Sequence, residues 1–423
     1  MTKIAAYSEP DRFLGAVVSF GVFLFFAGMI SVPVGYTAGA VLLLLAALYF
    51  LVRYSVPALS RQDKTLVWLL VAVFGIGLFS YLYHGNAVRS IDLPSRYLLA
   101  AIILLMLLEH PPKLPWLWAG FAVGAVSGAA VAAWQTVGES FGRAVGFTGV
   151  IQFGDLGLML GVFCAAGIFW ANTQPQSRRW VWRCVLGLGV LGGAYASLAS
   201  GSRGGWIALP VVVLIFVAAF INSRNVKPAI ITLVVLAVAA AAVAISVPTI
   251  KHRYDRALLD VQQYEQGNAD TSIGARFAIW RAAAEMIAKK PLAGWSDADY
   301  RAERERLVAS KEAPPVILIL ANTHNNYLEL WVFQGVFAVL IVLALLVSSF
   351  VSFVRRLRSP QRDIQALAVC GAALVAAYAI FSMSQIMLGR NNTLLFFLIA
   401  LVCLWGGMRK LEKSAPPAGG SAQ

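Results

Sequence analysis

The chain has 423 residues, 59% of them hydrophobic and only 13% charged. Soluble globular domains carry nearer a quarter charged residues, so this composition excludes that class and points to a membrane protein. The formal net charge of +14 would suit a nucleic-acid partner, but its distribution along the chain argues against one.

Apolar runs near the roughly 20 residues needed to cross a bilayer recur from end to end. Without water to satisfy the backbone, such runs must be helices. The sequence predicts twelve spans, at about 13–32, 36–52, 65–83, 97–109, 116–137, 151–171, 184–200, 204–221, 229–247, 327–354, 365–388 and 393–408. The first is too long, and too closely followed by others, to be a removable signal peptide. The expected fold is all-α and polytopic. Its predicted parts are spans 1–9 over residues 1–247, a helical segment outside the membrane over 248–326, spans 10–12 over 327–408 and a tail over 409–423. Short connections imply antiparallel neighbours, and glycine-rich stretches at 120–128 and 154–167 let backbones approach closely. The tail from Ser414 is rich in Ala, Pro and Gly and is expected to be disordered.

With the N-terminus inside, eighteen Lys and Arg fall on the cytoplasmic side, against five in the short loops opposite: Arg89, Arg96, Arg143, Arg203 and Arg390. This bias predicts both termini in the cytoplasm and the 248–323 segment outside. The basic surplus is then a matter of topology and contact with anionic membrane lipids, not nucleic acid. Cys164, Cys184, Cys370 and Cys403 lie in or beside spans, with no disulfide framework and no spacing that suits zinc.

Inside the outer segment, 253–266 is polar and helix-compatible. Ile273, Phe277, Trp280, Ala284 and Ile287 then recur at helical spacing, with Ser272 as N-cap and Pro291 and Gly294 as terminators. Such a helix is expected to lie on the membrane surface, stripe down, with Arg276 and Arg281 at its edges.

No ionisable residue lies deep in a predicted span, where transporters usually carry one. Asp155 and Glu329 fall in the first turns of their helices, and His84, Arg89, Arg143, Arg203, Arg276, His324 and Arg390 fall on the same outer side. Polar equipment at one face favours an enzyme over a transporter. His324, in Thr323-His324-Asn325-Asn326, is the candidate general base, because imidazole titrates near neutrality and neighbouring arginines would keep it neutral. Spacing alone fits equally an interfacial histidine held by Asn325 or a helix end. Arg203 sits in Ser200-Gly201-Ser202-Arg203-Gly204-Gly205, where exposed N–H groups, a helix N-terminus and a guanidinium could cradle pyrophosphate. Alone it also reads as a snorkelling arginine, as do Arg276, Arg281 and Arg143. Gly187-Leu188-Gly189-Val190-Leu191-Gly192 has the spacing of a dinucleotide motif but lies within a span and reads as helix packing. Asp297-Ala298-Asp299 looks like the metal-binding DxD of nucleotide-sugar transferases, although such sugars are normally absent outside the cell.

Taken in order, Gly142-Arg143…Gly146-Phe147, Ser202-Arg203-Gly204, Gly274-Ala275-Arg276-Phe277…Trp280, Pro291-Leu292-Ala293-Gly294 and His324-Asn325-Asn326-Tyr327…Gly335 resemble the O-antigen ligase and polymerase superfamily over nearly the whole chain. Trp295 departs from it, since glycine often follows Pro-Leu-x-Gly there. The resemblance implies a glycosyltransferase C-like helical fold in the inner membrane of a Gram-negative bacterium. It implies transfer of O-antigen from undecaprenyl pyrophosphate to a sugar of lipid A–core on the periplasmic side. It carries a catalytic role onto Arg203, Arg276 and His324, with Arg143, Arg281, Asn325 and Tyr327 as candidate substrate-binding residues. Arginines that neutralise the leaving pyrophosphate and one base for the acceptor hydroxyl predict inverting transfer without metal or cofactor. An O-antigen polymerase or pilin oligosaccharyltransferase would share the arginines and differ in acceptor. A lipid or polysaccharide exporter is the alternative from another class.

Overall fold

The computed structural model describes residues 9–139, 142–221 and 259–414. Among them the chain is helical, with no strand. Among the described residues nine helices are long and apolar enough to cross a membrane, so the expected polytopic all-α class is the observed one. We number the helices in chain order: α1 Glu9–Ala27, α2 Tyr36–Arg53, α3 Arg61–His84, α4 Asp92–Leu107, α5 Leu114–Ala133, α6 Val150–Ala171, α7 Gln176–Ser200, α8 Arg203–Phe220, α9 Ser272–Lys289, α10 Asp297–Ala309, α11 Asn326–Val354, α12 Arg362–Phe381 and α13 Asn391–Ser414. The first and eighth predicted spans are helices too, α1 and α8. The predicted span at 229–247 lies outside the described residues.

At the centre are α6, α12 and α13, whose side chains are almost all buried because other helices, not lipid, surround them. Phe163, Phe396 and Tyr378 stack there, with Phe163 and Phe396 ring centroids 6.0 Å apart. Peripheral helices keep one apolar face outward, such as Trp68 on α3 and Leu191 on α7. Close backbone approach joins α6 to α7: a Cβ on Gly193 would sit 2.5 Å from the Gly157 carbonyl oxygen. Gly189 and Gly192 press likewise on Ala122 and Ala125, so the glycine motif at 187–192 serves packing, as expected.

The ends of several predicted spans move, among them those of the last two. The eleventh stops at Phe381, and 382–390 forms an irregular loop instead. The twelfth runs on to Ser414, past the predicted boundary at 408. Ion pairs keep that last turn helical: Lys410 and Lys413 reach Glu109 at 2.9 and 3.2 Å, while Arg409 pairs with the buried Asp63 at 3.0 Å and with Glu412.

A second core lies in the segment before α11. Helix α9 is buried along Ala275, Ala278, Ile279, Ala282, Ala283 and Met286, against Trp295, Tyr300, Leu307, Ile317 and Val332. Protein thus covers one face of this helix. Its buried face is the alanine side, because small side chains admit α10 and the start of α11 at close range, while Phe277 and Trp280 stay half exposed. Its N-cap is Thr271, whose hydroxyl accepts from Gly274 N at 3.0 Å, one residue before the predicted Ser272.

Helix α11 is broken at Gly335, where φ is 77° and ψ is −179°. The segment Pro291–Trp295 fills the break. Trp295 N donates to Val332 O at 2.7 Å, Val336 N donates to Pro291 O at 3.0 Å, and Ser80 Oγ donates to Phe333 O at 3.1 Å. A helix of 29 residues would be roughly 43 Å long, well over a roughly 30 Å hydrocarbon core. The break therefore divides it into an outer piece that packs with α9 and a second piece of spanning length. A Cβ at Gly335 would collide with Leu292 O, in a backbone conformation that L residues rarely adopt. Gly335→Ala is expected to cost about 1–3 kcal/mol or more in thermal unfolding of detergent-solubilised protein. Gly75→Ala on α3, where nothing lies within 4 Å of the added Cβ, is expected to be neutral or to stabilise by roughly 0.5–1 kcal/mol.

Candidate active site

The turn that enters α11 is built almost wholly from hydrogen bonds. Asn325 Oδ1 accepts from Tyr327 N and Leu328 N at 3.0 and 3.2 Å, which caps the helix. Thr323 N donates to Glu329 Oε2 at 2.9 Å, Thr323 Oγ1 donates to Asn325 O at 2.9 Å, and Trp280 Nε1 of α9 donates to Thr323 O at 2.8 Å. His324 N donates to Asn322 Oδ1 at 3.0 Å. These bonds hold His324 at φ 52°, in the left-handed region, which is uncommon for a residue with a side chain. Its Nδ1 is buried without a hydrogen-bond partner among the described residues. A strained backbone and an unpaired buried nitrogen both lower stability, and the surrounding hydrogen bonds are what hold them.

The His324 pKa is lowered from the usual imidazole value, first by burial, then by the positive charges of Arg276 and Arg390; Gln385, within hydrogen-bonding reach of the ring, opposes them. The ring is therefore neutral at pH 7, as a base must be. Arg276 comes from α9, held in place by the Trp280 bond. Gln385 and Arg390 come from the loop after α12. Asn326 secures that loop: its N–H donates to Ser382 O at 2.8 Å and its Oδ1 accepts from Leu388 N at 2.9 Å. At its far end Thr393 Oγ1 donates to Met387 O at 2.5 Å.

The Ser200–Gly205 turn adjoins the same loop. A Cβ on Gly204 would lie 3.2 Å from Ser384 Oγ, one residue before Gln385. Arg203 opens α8; its side chain lies outside what is described. Arg143 stands behind the turn, donating from Nε to Ser200 O at 2.7 Å and from Nη2 to Gly201 O at 3.2 Å. Inside the turn sits the carboxylate of Asp155, 1% exposed. Its Oδ1 accepts from Ser202 Oγ at 2.7 Å and it also takes the backbone N–H of Gly205. Asp155 thus occupies part of the α8 N-terminus that the sequence offered to a phosphate, and Oδ2 has no partner among the described residues.

Other predicted residues serve elsewhere. Arg281 is 75% exposed and pairs with Glu285 at 3.5 Å, beside a different surface pocket. The Tyr327 hydroxyl donates to Ala379 O at 2.9 Å, and Asn325 is the α11 cap. Asp297 and Asp299 occupy the first turn of α10, where Asp299 pairs with Lys290 at 3.2 Å. Trp295, the departure from the family pattern, donates from Nε1 to Met286 O at 2.9 Å and so ties the inserted segment to α9. Sequence reading left Gln385, Arg390 and Asp155 without roles. The one signal for Arg390 was its placement in an outer loop.

Residues 188–343 match the family model described as O-antigen ligase. That match spans a little over a third of the chain. The matched stretch contains Arg203, Arg276, His324 and the break at Gly335. Over 399 residues, 93% of this chain and 98% of the relative, it is 27% identical to an uncharacterized protein of Haemophilus influenzae. It is also 27% identical over 159 residues, 37% of this chain and 38% of the relative, to an O-antigen ligase of Escherichia coli K12. Outside the ligase-family stretch lie Arg143, Asp155, Gln385 and Arg390, which complete the surroundings of the two turns. Asp155→Ala leaves Ser202 Oγ without its acceptor inside the bundle and is expected to cost about 1–3 kcal/mol in thermal unfolding. Asp155→Asn, which keeps an acceptor oxygen, is expected to recover part of that loss.

Proposed function

We propose that the protein is an O-antigen ligase that joins a glycan carried on undecaprenyl pyrophosphate to a sugar hydroxyl of lipid A–core. The observation that carries this reading is a partly buried, neutral histidine with Arg276 and Arg390 beside it, at one end of a membrane bundle with a ligase-family domain. The positive-inside bias puts that end in the periplasm, with the protein in the inner membrane of a Gram-negative cell.

His324 takes the proton of the acceptor hydroxyl. The freed oxygen attacks the anomeric carbon, and the bond from that carbon to the pyrophosphate breaks, its electron pair leaving on the phosphate oxygen. Arg276, Arg203 and Arg390 offset the negative charge on that leaving group. Pyrophosphate needs charge stabilisation more than protonation, so guanidinium groups suffice and no metal is required. One displacement with no covalent intermediate inverts the anomeric centre. A polymerase would run the same steps on a different acceptor.

With purified protein, donor and lipid A–core, His324→Ala is expected to reduce transfer about 10²–10⁴-fold, and EDTA to leave the wild-type rate unchanged. Transfer lost in EDTA would sink the metal-free mechanism and turn attention to Asp297 and Asp299. Efficient transfer to growing glycan but none to lipid A–core would make the protein a polymerase. The acid limb of kcat/KM is expected below pH 6.5, since burial and then the two arginines hold the free enzyme's imidazole below its ordinary value. Arg390→Ala removes one positive charge and should move that limb to higher pH. Bound pyrophosphate adds negative charge near the ring, so the limb of kcat should lie above that of kcat/KM.

A further inference from the structure

A cavity of about 710 Å³ lies between α3, α4, the outer piece of α11 and the loop after α12. Its size falls within the roughly 300–1,000 Å³ usual for ligand sites. Neither His324 nor Arg276 lines it. Its wall does reach Asn326, two residues from His324, and Ile386, next to Gln385, so it borders the turn that carries His324. The lining carries three carboxylates, Asp92, Asp297 and Glu329, against one guanidinium, Arg89. With Asp92 paired to Arg96 at 2.6 Å, that lining offers a pyrophosphate no cluster of positive charge. Tyr81, Asn86, Ser90 and Asn391 add neutral donors and acceptors, and Phe333 and Tyr97 add aromatic surface, a mixture suited to hydroxyls and C–H faces of sugars. At Asn391 the cavity adjoins an apolar groove lined by Val41, Leu44, Leu395 and Ile399, with Arg96 at the junction, where its Nε donates to Asn391 Oδ1 at 3.1 Å. A polar cavity that continues into an apolar groove matches a glycolipid.

We propose that this cavity binds the uncharged sugars of the acceptor, with an acyl chain of its lipid in the groove. The proposal rests on the ligase reading: the arginine side of the turn takes the charged donor, the acid-lined side takes the neutral acceptor, and His324 stands between them.

The test uses the full-length protein in nanodiscs and a delipidated, dephosphorylated core oligosaccharide as probe. Direct binding of that probe is expected for wild type and for His324→Ala, and is expected to be lost in Ser90→Trp, which fills the cavity. In transfer assays Ser90→Trp and Tyr81→Ala are expected to raise the KM for acceptor about tenfold or more while the KM for donor and kcat stay within about twofold. The probe should compete with acceptor and not with donor. No probe binding to wild type, or an acceptor KM unmoved in both variants, overturns the proposal. A wild type that binds the probe yet transfers glycan to no acceptor overturns the ligase reading and leaves the saccharide site standing. A thermal-unfolding midpoint for Ser90→Trp near that of wild type separates loss of binding from loss of fold.

Discussion

Gly335 is where the outer architecture and the membrane bundle meet. A spanning helix cannot leave carbonyls and N–H groups unpaired, so a break in α11 requires another backbone to enter it. Pro291–Trp295 does so, and only glycine permits the approach, since a Cβ at Gly335 would overlap Leu292 O. Because the inserted segment directly follows α9, this contact determines where α9 lies. Helix α9 carries Arg276 and the Trp280 indole that bonds Thr323 O. The electrostatics at His324 therefore depend on a backbone packing event eleven residues away along α11.

Around that anchor the polar groups divide by what they hold. Asn325, Thr323 and Glu329 spend their hydrogen bonds on the shape of the turn. Asn326 spends its own on the loop that delivers Gln385 and Arg390. Arg143 and Asp155 grip the Ser200–Gly205 turn from two sides. Among these groups stands a strained imidazole, one nitrogen of which has no hydrogen-bond partner among the described residues, with two cationic side chains within its electrostatic reach. The opposite end of the bundle is organised differently, by closed ion pairs such as Asp63 with Arg409, whose charges are already matched. Buried matched pairs of this kind fasten helices and leave little for a ligand.

Much of the helical plan was legible because apolar length is a strong local signal. The nine spanning helices coincide with predicted runs, and the glycine stretches packed as expected. Boundaries failed where tertiary partners override the pattern. The eleventh run looked continuous to 388, yet Asn326 draws 382–388 out of helix by offering bonds to Ser382 O and Leu388 N. The face of α9 that packs on protein was not legible, because large apolar residues outweigh alanines in any periodicity, although close packing against α10 and α11 selects the alanines.

The sequence by itself determined the class, the number of apolar runs near twelve, the clustering of polar residues toward one side, and His324, Arg203 and Arg276 as residues of interest, since these follow from composition, spacing and ordered motifs. Only the tertiary structure decided the neighbours of His324. Arg276 arrives from 48 positions before it and Arg390 from 66 after it, and no local pattern encodes a meeting across that distance. Likewise Arg281, five residues from Arg276, reads much the same in sequence. It points to a different pocket because five residues turn a helix by roughly 140° beyond a full turn.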